Sequence, residues 1–463
     1  MNSFLKTLIF TAIAIGLFNR TTGQTLYEAE DFLQQVWEHH PIVQAAGLRS
    51  DRANAQWQKA RGGFDPELNV ATRSKNWNET LYYRQDQAEL NIPTPLGLDV
   101  EIGYLAADGT YLNPEWTAPD GGLLQAGIKV QLGQGLRIDA RRAALQKAKL
   151  ALDLGEVERR HMLNAVSAEA LNAYWNWFDA WHSVAVFENS VAIAEQRRLA
   201  VIQSATQGDR PALDTLEASI QVLNRRENLL EAQQHLVKTA ALMESFLWGA
   251  DNAPLGLNPG VRPPDLIAAR SALALPPVRS EWEEQHPEIL KGQNVISQSE
   301  VDLNWRKEQL KPELGLKYQW IDDARSFPNE STWDPVPATF GVDFAFPLFI
   351  RAERGAVRMA EVDLTTRGLA LTEKRRVLRL KSEALRAAGP LLLEQLNVQT
   401  QAVRESEQLL NGERALFQAG ESSLFLINMR EQYFIQTQLK AIAILHKLAN
   451  NRIEIAETEA SWW

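Results

Sequence analysis

The chain has 463 residues, a formal net charge of −10, 45% apolar and 23% charged residues, which excludes a disordered chain and a broad basic surface for nucleic acid. It has no cysteine, so a disulfide scaffold, a thiolate metal site, a thiol nucleophile and a lipid-modified N-terminal cysteine are excluded together. None of His39, His40, His161, His182, His235, His286 and His446 pairs as His-Glu-x-x-His, so a zinc hydrolase has little support.

Lys6 precedes an apolar run from Leu8 to Phe18, and the small residues Thr21 and Gly23 follow. This pattern predicts a signal peptide over residues 1–23 and therefore export. No later run of about 18 apolar residues is present, so no membrane-spanning helix is expected. Re-entry into a membrane would require a barrel.

A first repeat is predicted over residues 24–248. It opens with a helical stretch at 27–61, bent at Pro41. Strands follow over 66–135, where Leu98, Val100, Ile102 and Tyr104 alternate with Asp99, Glu101 and Gly103. A long helix is predicted over 138–205, about 100 Å at 1.5 Å per residue. Its aromatic cluster of Tyr174, Trp175, Trp177, Phe178 and Trp181 reads as packing. A further helix over 211–248 opens at Pro211. A Pro-rich linker occupies 249–278.

The second repeat, 279–463, runs in the same order. A helix is expected over 279–310 and strands over 312–347. A long helix over 351–418 is kinked at Pro390, and a last helix covers 421–459. Leu314, Leu316, Tyr318 and Trp320 alternate with Glu313, Lys317 and Gln319. Leu364, Leu371, Leu378, Leu385 and Leu392 recur every seven residues, and Leu213, Leu216, Ile220, Leu223, Leu230 and Val237 follow three-and-four spacing. Both fit coiled-coil seams, and equally the packing faces of a soluble helical bundle. Trp462-Trp463 at the C-terminus is either a barrel-assembly signal or the end of a helix.

The duplication is visible residue by residue. His40-Pro41 and Pro66-Glu67-Leu68 match His286-Pro287 and Pro312-Glu313-Leu314 at a constant offset of 246. Ile138, Ala140, Arg142, Ala144, Ala148 and Leu152 match Ile350, Ala352, Arg354, Ala356, Ala360 and Leu364 at an offset of 212, as does Gly208 with Gly420. The two offsets place an insertion in the first repeat's strand block. It is assigned to an added hairpin at 81–108 that turns at Pro93-Thr94-Pro95-Leu96-Gly97. One chain then supplies four to six strands, whereas a membrane barrel needs at least about eight, so if the strands enter a membrane barrel, several chains must share it; a sandwich edge would show the same alternation.

With its duplicated His-Pro…Pro-Glu-Leu openings, strand blocks, long helices and the turns Gly208-Asp-Arg-Pro-Ala-Leu-Asp214 and Gly420-Glu-Ser-Ser-Leu-Phe-Leu426, the sequence resembles the TolC-like outer-membrane efflux family. The resemblance implies a mainly α fold with a membrane β-barrel part. Internally duplicated coiled-coil helices would form a periplasmic tunnel, and two strands per repeat would enter a barrel shared by a homotrimer. It implies a passive conduit for small molecules or proteins, in the outer membrane of a Gram-negative bacterium, docked through a periplasmic adaptor protein to an inner-membrane pump. It implies no catalysis and no cofactor or metal. Family members place acids after the tip glycine. The matching residues of the first repeat are Asp214 and Glu217, which either ring a cation-selective constriction or stabilise a helix N-terminus. The second repeat has Leu426 and Met429 there, with Asn428 and Arg430 alongside, and Arg430 is a candidate partner for a first-repeat acid. Gly208 and Gly420 are expected in turns with positive φ. Two other classes compete: a periplasmic coiled-coil adaptor or structural protein, which would lack the whole-chain duplication, and a secreted hydrolase, which would need a convergent polar site that the sequence does not offer.

Overall fold

The computed structural model describes residues 25–258, 260–277, 279, 281–324 and 337–462. The signal segment 1–23 and Trp463 lie outside these residues, as does part of the strand block 312–347.

In chain order the elements are β1 (Thr25–Leu26), α1 (Ala29–His39), α2 (Pro41–Arg61), β2 (Glu67–Trp77), β3 (Thr80–Pro93), β4 (Leu98–Asp108), β5 (Leu123–Gln131), α3 (Ala140–Thr206), α4 (Ala212–Glu244), β6 (Val261–Arg262), α5 (Leu266–Ala272), α6 (Trp282–Gln285), α7 (Pro287–Glu308), β7 (Glu313–Asp323), β8 (Ala338–Ala345), α8 (Arg351–Gln418) and α9 (Leu424–Thr458). Both helical openings are interrupted at the His-Pro step. His40 and His286 sit in extended backbone at ψ 132 and 129, because proline disfavours the helical region for the residue before it. His286 also caps α7: its Nδ1 accepts the Glu288 amide at 3.1 Å. Burial pushes its pKa down to about 4, partly opposed by the Glu288 charge, so the ring stays neutral and able to accept. The helix α8 runs through Pro390 without interruption.

Two compact units divide the chain. One contains the residues up to His40, Ala170–Leu275 and Leu391–Asn450; the other contains Pro41–Glu169, Pro276–Pro390 and the residues from Asn451 onward. Each unit therefore draws on both sequence repeats.

In the first unit one part of the core is aromatic. Phe32, Tyr174 and Phe178 are fully buried. Phe32 stacks on Tyr174 at 5.9 Å, and the Tyr174 hydroxyl donates to the Tyr27 carbonyl at 2.8 Å. Burial of a phenol is tolerated when its hydroxyl is paired in this way. The same unit contains α4, where two three-and-four stripes run along one helix. The buried stripe is Ala218, Val222, Arg225, Ala232, Thr239 and Met243. The larger stripe, Leu213, Leu216, Ile220, Leu223, Leu230 and Val237, is 55–73% exposed. The leucine seam read from the sequence thus has no cover among the described residues, and the stripe that holds Ala218 and Ala232 faces inward.

In the second unit, Ile289 of α7 and Leu163 and Val166 of α3 are buried, as are Ile453 and Ile455 of α9. Glu459, almost fully buried, pairs with Arg386 at 2.6 Å and accepts from the Ser382 hydroxyl at 2.7 Å. This unit also carries the six-stranded sheet.

Candidate channel site

The sheet is the first of two sites that the sequence singles out. Its order is β2-β3-β4-β5-β7-β8, and every neighbouring pair is antiparallel. The expected insertion is the hairpin β3–β4, seated between β2 and β5. Asn78 and Glu79 turn β2 into β3 with φ of 55 and 62, the positive pair that suits the twist of a two-residue hairpin. At the opposite end, the Leu98 carbonyl accepts from the Thr94 amide at 2.9 Å and from its hydroxyl at 2.7 Å. Arg141, in the first turn of α3, pairs with Asp99 at 3.4 Å. The hairpin therefore returns to the helix end of the sheet.

Register determines what each face carries. Leu68, Leu90, Ile102, Ala126, Trp320 and Ala338 follow one another across the six strands, and Ile92, Val100, Ile128, Tyr318 and Phe340 form the adjacent row. Leu98, Val130, Leu316 and Val342 form the next. Because side chains alternate along a strand, these rows share one face. Leu68, Val70, Phe340 and Phe344 on it are 65–71% exposed. The other face carries Asn69, Arg73, Gln85, Gln87, Glu89, Glu101, Gln125, Lys129, Lys317, Gln319 and Asp343. Glu101 pairs there with Lys317 at 2.6 Å, and Gln319 donates to it at 3.4 Å. Alternation in the sequence predicts this polar face; the cross-strand Glu101–Lys317 pair depends on register and could not be read from either strand alone. A continuous apolar face of this extent, left uncovered, is a surface for lipid or a partner rather than for water. Neither β2 nor β8 has a partner on its outer edge among the described residues.

The second site is the pair of helix-end turns in the first unit. Gly208 and Gly420 have φ of +84 and +80. Gly208 N–H bonds to Ala205 O at 3.1 Å and Asp209 N–H to Ser204 O at 3.0 Å; Gly420 N–H bonds to Phe417 O at 3.2 Å and Glu421 N–H to Leu416 O at 2.9 Å. Both are Schellman caps, which need a residue in the left-handed region.

Around these turns, Asp214 pairs with Arg210 at 3.6 Å within its own helix end. Glu217 accepts from Asn428 Nδ2 at 3.3 Å. The Asn428 carbonyl oxygen accepts from Arg197 at 2.7 Å, and Arg197 holds Glu431 through both of its terminal nitrogens. Arg414 reaches Glu431 at 3.3 Å. Arg430 faces Glu413, of its own repeat, at 3.6 Å. The first-repeat acid Glu217 thus meets the second repeat at Asn428 rather than at Arg430, and Arg197 joins the repeats beside it. Beside this network Val201, Ala218, Leu410, Leu424 and Ile427 form a small buried core. Arg197 and Glu431 were not legible as a pair, since they lie far apart in sequence and neither departs from an ordinary solvated-helix pattern.

Among the described residues no group of three or more His, Asp or Glu side chains is arranged to hold a metal, and no helix is long and apolar enough to cross a membrane. No protein-family model matches the sequence, and no curated protein is similar to it in sequence. Solved structures are similar in fold. The Campylobacter jejuni CmeC outer-membrane channel is 10% identical with a TM-score of 0.68, over 93% of this chain and 85% of that one. The outer-membrane protein VceC of Vibrio cholerae is 13% identical with a TM-score of 0.66, over 93% and 96%. The open state of the Neisseria gonorrhoeae MtrE outer-membrane channel is 12% identical with a TM-score of 0.67, over 93% and 88%. The fold is therefore that of the TolC-like outer-membrane channels, along nearly the whole chain.

Proposed function

We propose that this chain is the outer-membrane channel of a tripartite efflux or secretion system. In this reading it is a passive, non-enzymatic conduit. It forms a homotrimer whose strands close one barrel in outer-membrane lipid and whose helices form a periplasmic tunnel. A periplasmic adaptor protein joins it to an inner-membrane pump. The observation that carries the reading is the six-stranded sheet: apolar on one exposed face, polar on the other, and open at both edges. Open edges are not tolerated in lipid, and six strands are too few to close. The exposed leucine stripe of α4 is a second surface that needs another copy, since a heptad seam is stable only against a neighbouring helix. An adaptor or other soluble envelope protein would have no use for the apolar sheet face.

The helix-end turns form the tunnel's constriction in this account. Asp214 and Glu217, repeated three times about an axis, would favour cations, with Asn428 and Arg430 completing the ring. Cell fractionation and mass measurement in mild detergent test the whole reading. A three-copy species from the outer membrane is expected. A folded monomer stable without detergent would refute it.

A further inference from the structure

The added hairpin determines the size of the membrane wall. We infer that the wall of the assembled channel has eighteen strands, six from each of three copies, with β2 of one copy paired antiparallel to β8 of the next. The inference rests on the trimeric channel proposed above and goes beyond it, since two strands per repeat would give twelve.

Three observations carry it. First, β3 and β4 are integral to the sheet. β3 pairs with β2 from Asn91 opposite Glu67 to Thr80 opposite Trp77, and β4 pairs with β5 from Leu98 opposite Val130 to Leu105 opposite Leu123. A hairpin lying outside the wall would leave β2 paired with β5. Second, the hairpin continues both faces. Ala88, Leu90, Ile92, Val100, Ile102 and Tyr104 extend the apolar rows, and Gln85, Gln87, Glu89 and Glu101 extend the polar one. Third, the strand count is even, so β2 and β8 run in opposite directions and can meet antiparallel at each seam. The edge strand β8, Ala-Thr-Phe-Gly-Val-Asp-Phe-Ala, has neither proline nor lysine, the usual devices that blunt a free edge. Its Val342 and Phe344 would continue the apolar band of Leu68 and Val70 on the next copy.

With strands about 4.8 Å apart and tilted by about 40°, eighteen give a backbone diameter of roughly 36 Å, against roughly 24 Å for twelve. A wall of that size holds an open aqueous lumen. Any restriction on cargo would then lie elsewhere along the conduit.

The absence of native cysteine gives a clean background for a test. Single variants Gln87→Cys, Ala88→Cys, Glu89→Cys and Leu90→Cys in the hairpin, with Gln125→Cys and Ala126→Cys in β5 as a reference, are reacted with a charged, water-soluble thiol reagent in nanodiscs. Gln87→Cys and Glu89→Cys should react at least tenfold faster than Ala88→Cys and Leu90→Cys, as Gln125→Cys should relative to Ala126→Cys. Equal rates at all four hairpin sites, with alternation kept in β5, would place the hairpin outside the wall and overturn the eighteen-strand count while leaving the channel standing. Loss of alternation in β5 as well would remove the channel reading and the count with it. Counting strands by electron cryomicroscopy of the unsubstituted protein in nanodiscs decides the same question if a variant misfolds: eighteen supports the inference and twelve overturns it.

Discussion

Replacing Arg197 with alanine should loosen the helix ends around the Gly208 and Gly420 turns. Arg197 and Glu431 keep only 10% and 7% of their side-chain surface in water. Removing one member of so buried a pair typically costs 3–5 kcal/mol, because the remaining charge stays desolvated. Arg414 still reaches Glu431 at 3.3 Å, which puts the cost near the lower end, about 3 kcal/mol. A chain of 463 residues in two compact units is not expected to unfold in two states, so the loss is best read locally, by amide hydrogen exchange. Segments 195–206 and 424–434 should exchange roughly a hundredfold faster, since about 1.4 kcal/mol corresponds to a factor of ten. Replacing both Arg197 and Glu431 with leucine should recover most of the protection, because an apolar pair removes the unpaired charge. Less than about a fivefold change in the alanine variant would match an exposed ion pair and refute the buried-network argument. So would a double variant as loose as the single one.

Further predictions concern other parts of the fold. Gly420→Ala should cost about 1 kcal/mol in local protection, through backbone strain alone, since nothing lies within 4 Å of the added methyl. Leu216→Glu with Leu223→Glu should weaken trimer association in dilute detergent while leaving the chain's own helicity unchanged by circular dichroism, because both leucines are 62% exposed within the chain. His286, with its pKa lowered to about 4, stays neutral in the folded chain while the unfolded chain takes up a proton below about pH 6.5. Its contribution is therefore complete above about pH 6.5 and declines as pH falls toward 4, by on the order of 3 kcal/mol. His286→Asn keeps a capping acceptor and should flatten that part of the stability profile measured by thermal melts between pH 4 and 7.

Much of the secondary structure was legible because its signals are periodic and local. The helix predicted at 351–418 matches α8 at Arg351–Gln418, and the one at 138–205 is shifted by at most two residues from Ala140–Thr206. The glycine turns followed from the need for positive φ. The alternating strands and the added hairpin followed from period two and from the proline-rich turn before Leu98. What could not be read was which of two heptad stripes on α4 faces inward, since leucine is the better hydrophobe but alanine allows closer helix approach. Sheet register was equally out of reach, and with it Glu101–Lys317. Charged pairs buried between distant segments, such as Arg197–Glu431 and Arg386–Glu459, leave no periodic trace. Arg430 faces Glu413 across the Gly420 turn, on the preceding helix, a pairing that depends on how the two helices fold back on each other.

Single-channel recording in planar lipid bilayers tests the conduit claim most directly. Addition of the purified trimer alone should produce discrete, cation-favouring current steps, with larger steps and weaker divalent block when Asp214→Ala is combined with Glu217→Ala. Trimers that demonstrably insert into the bilayer but carry no current, with or without those substitutions, would contradict it.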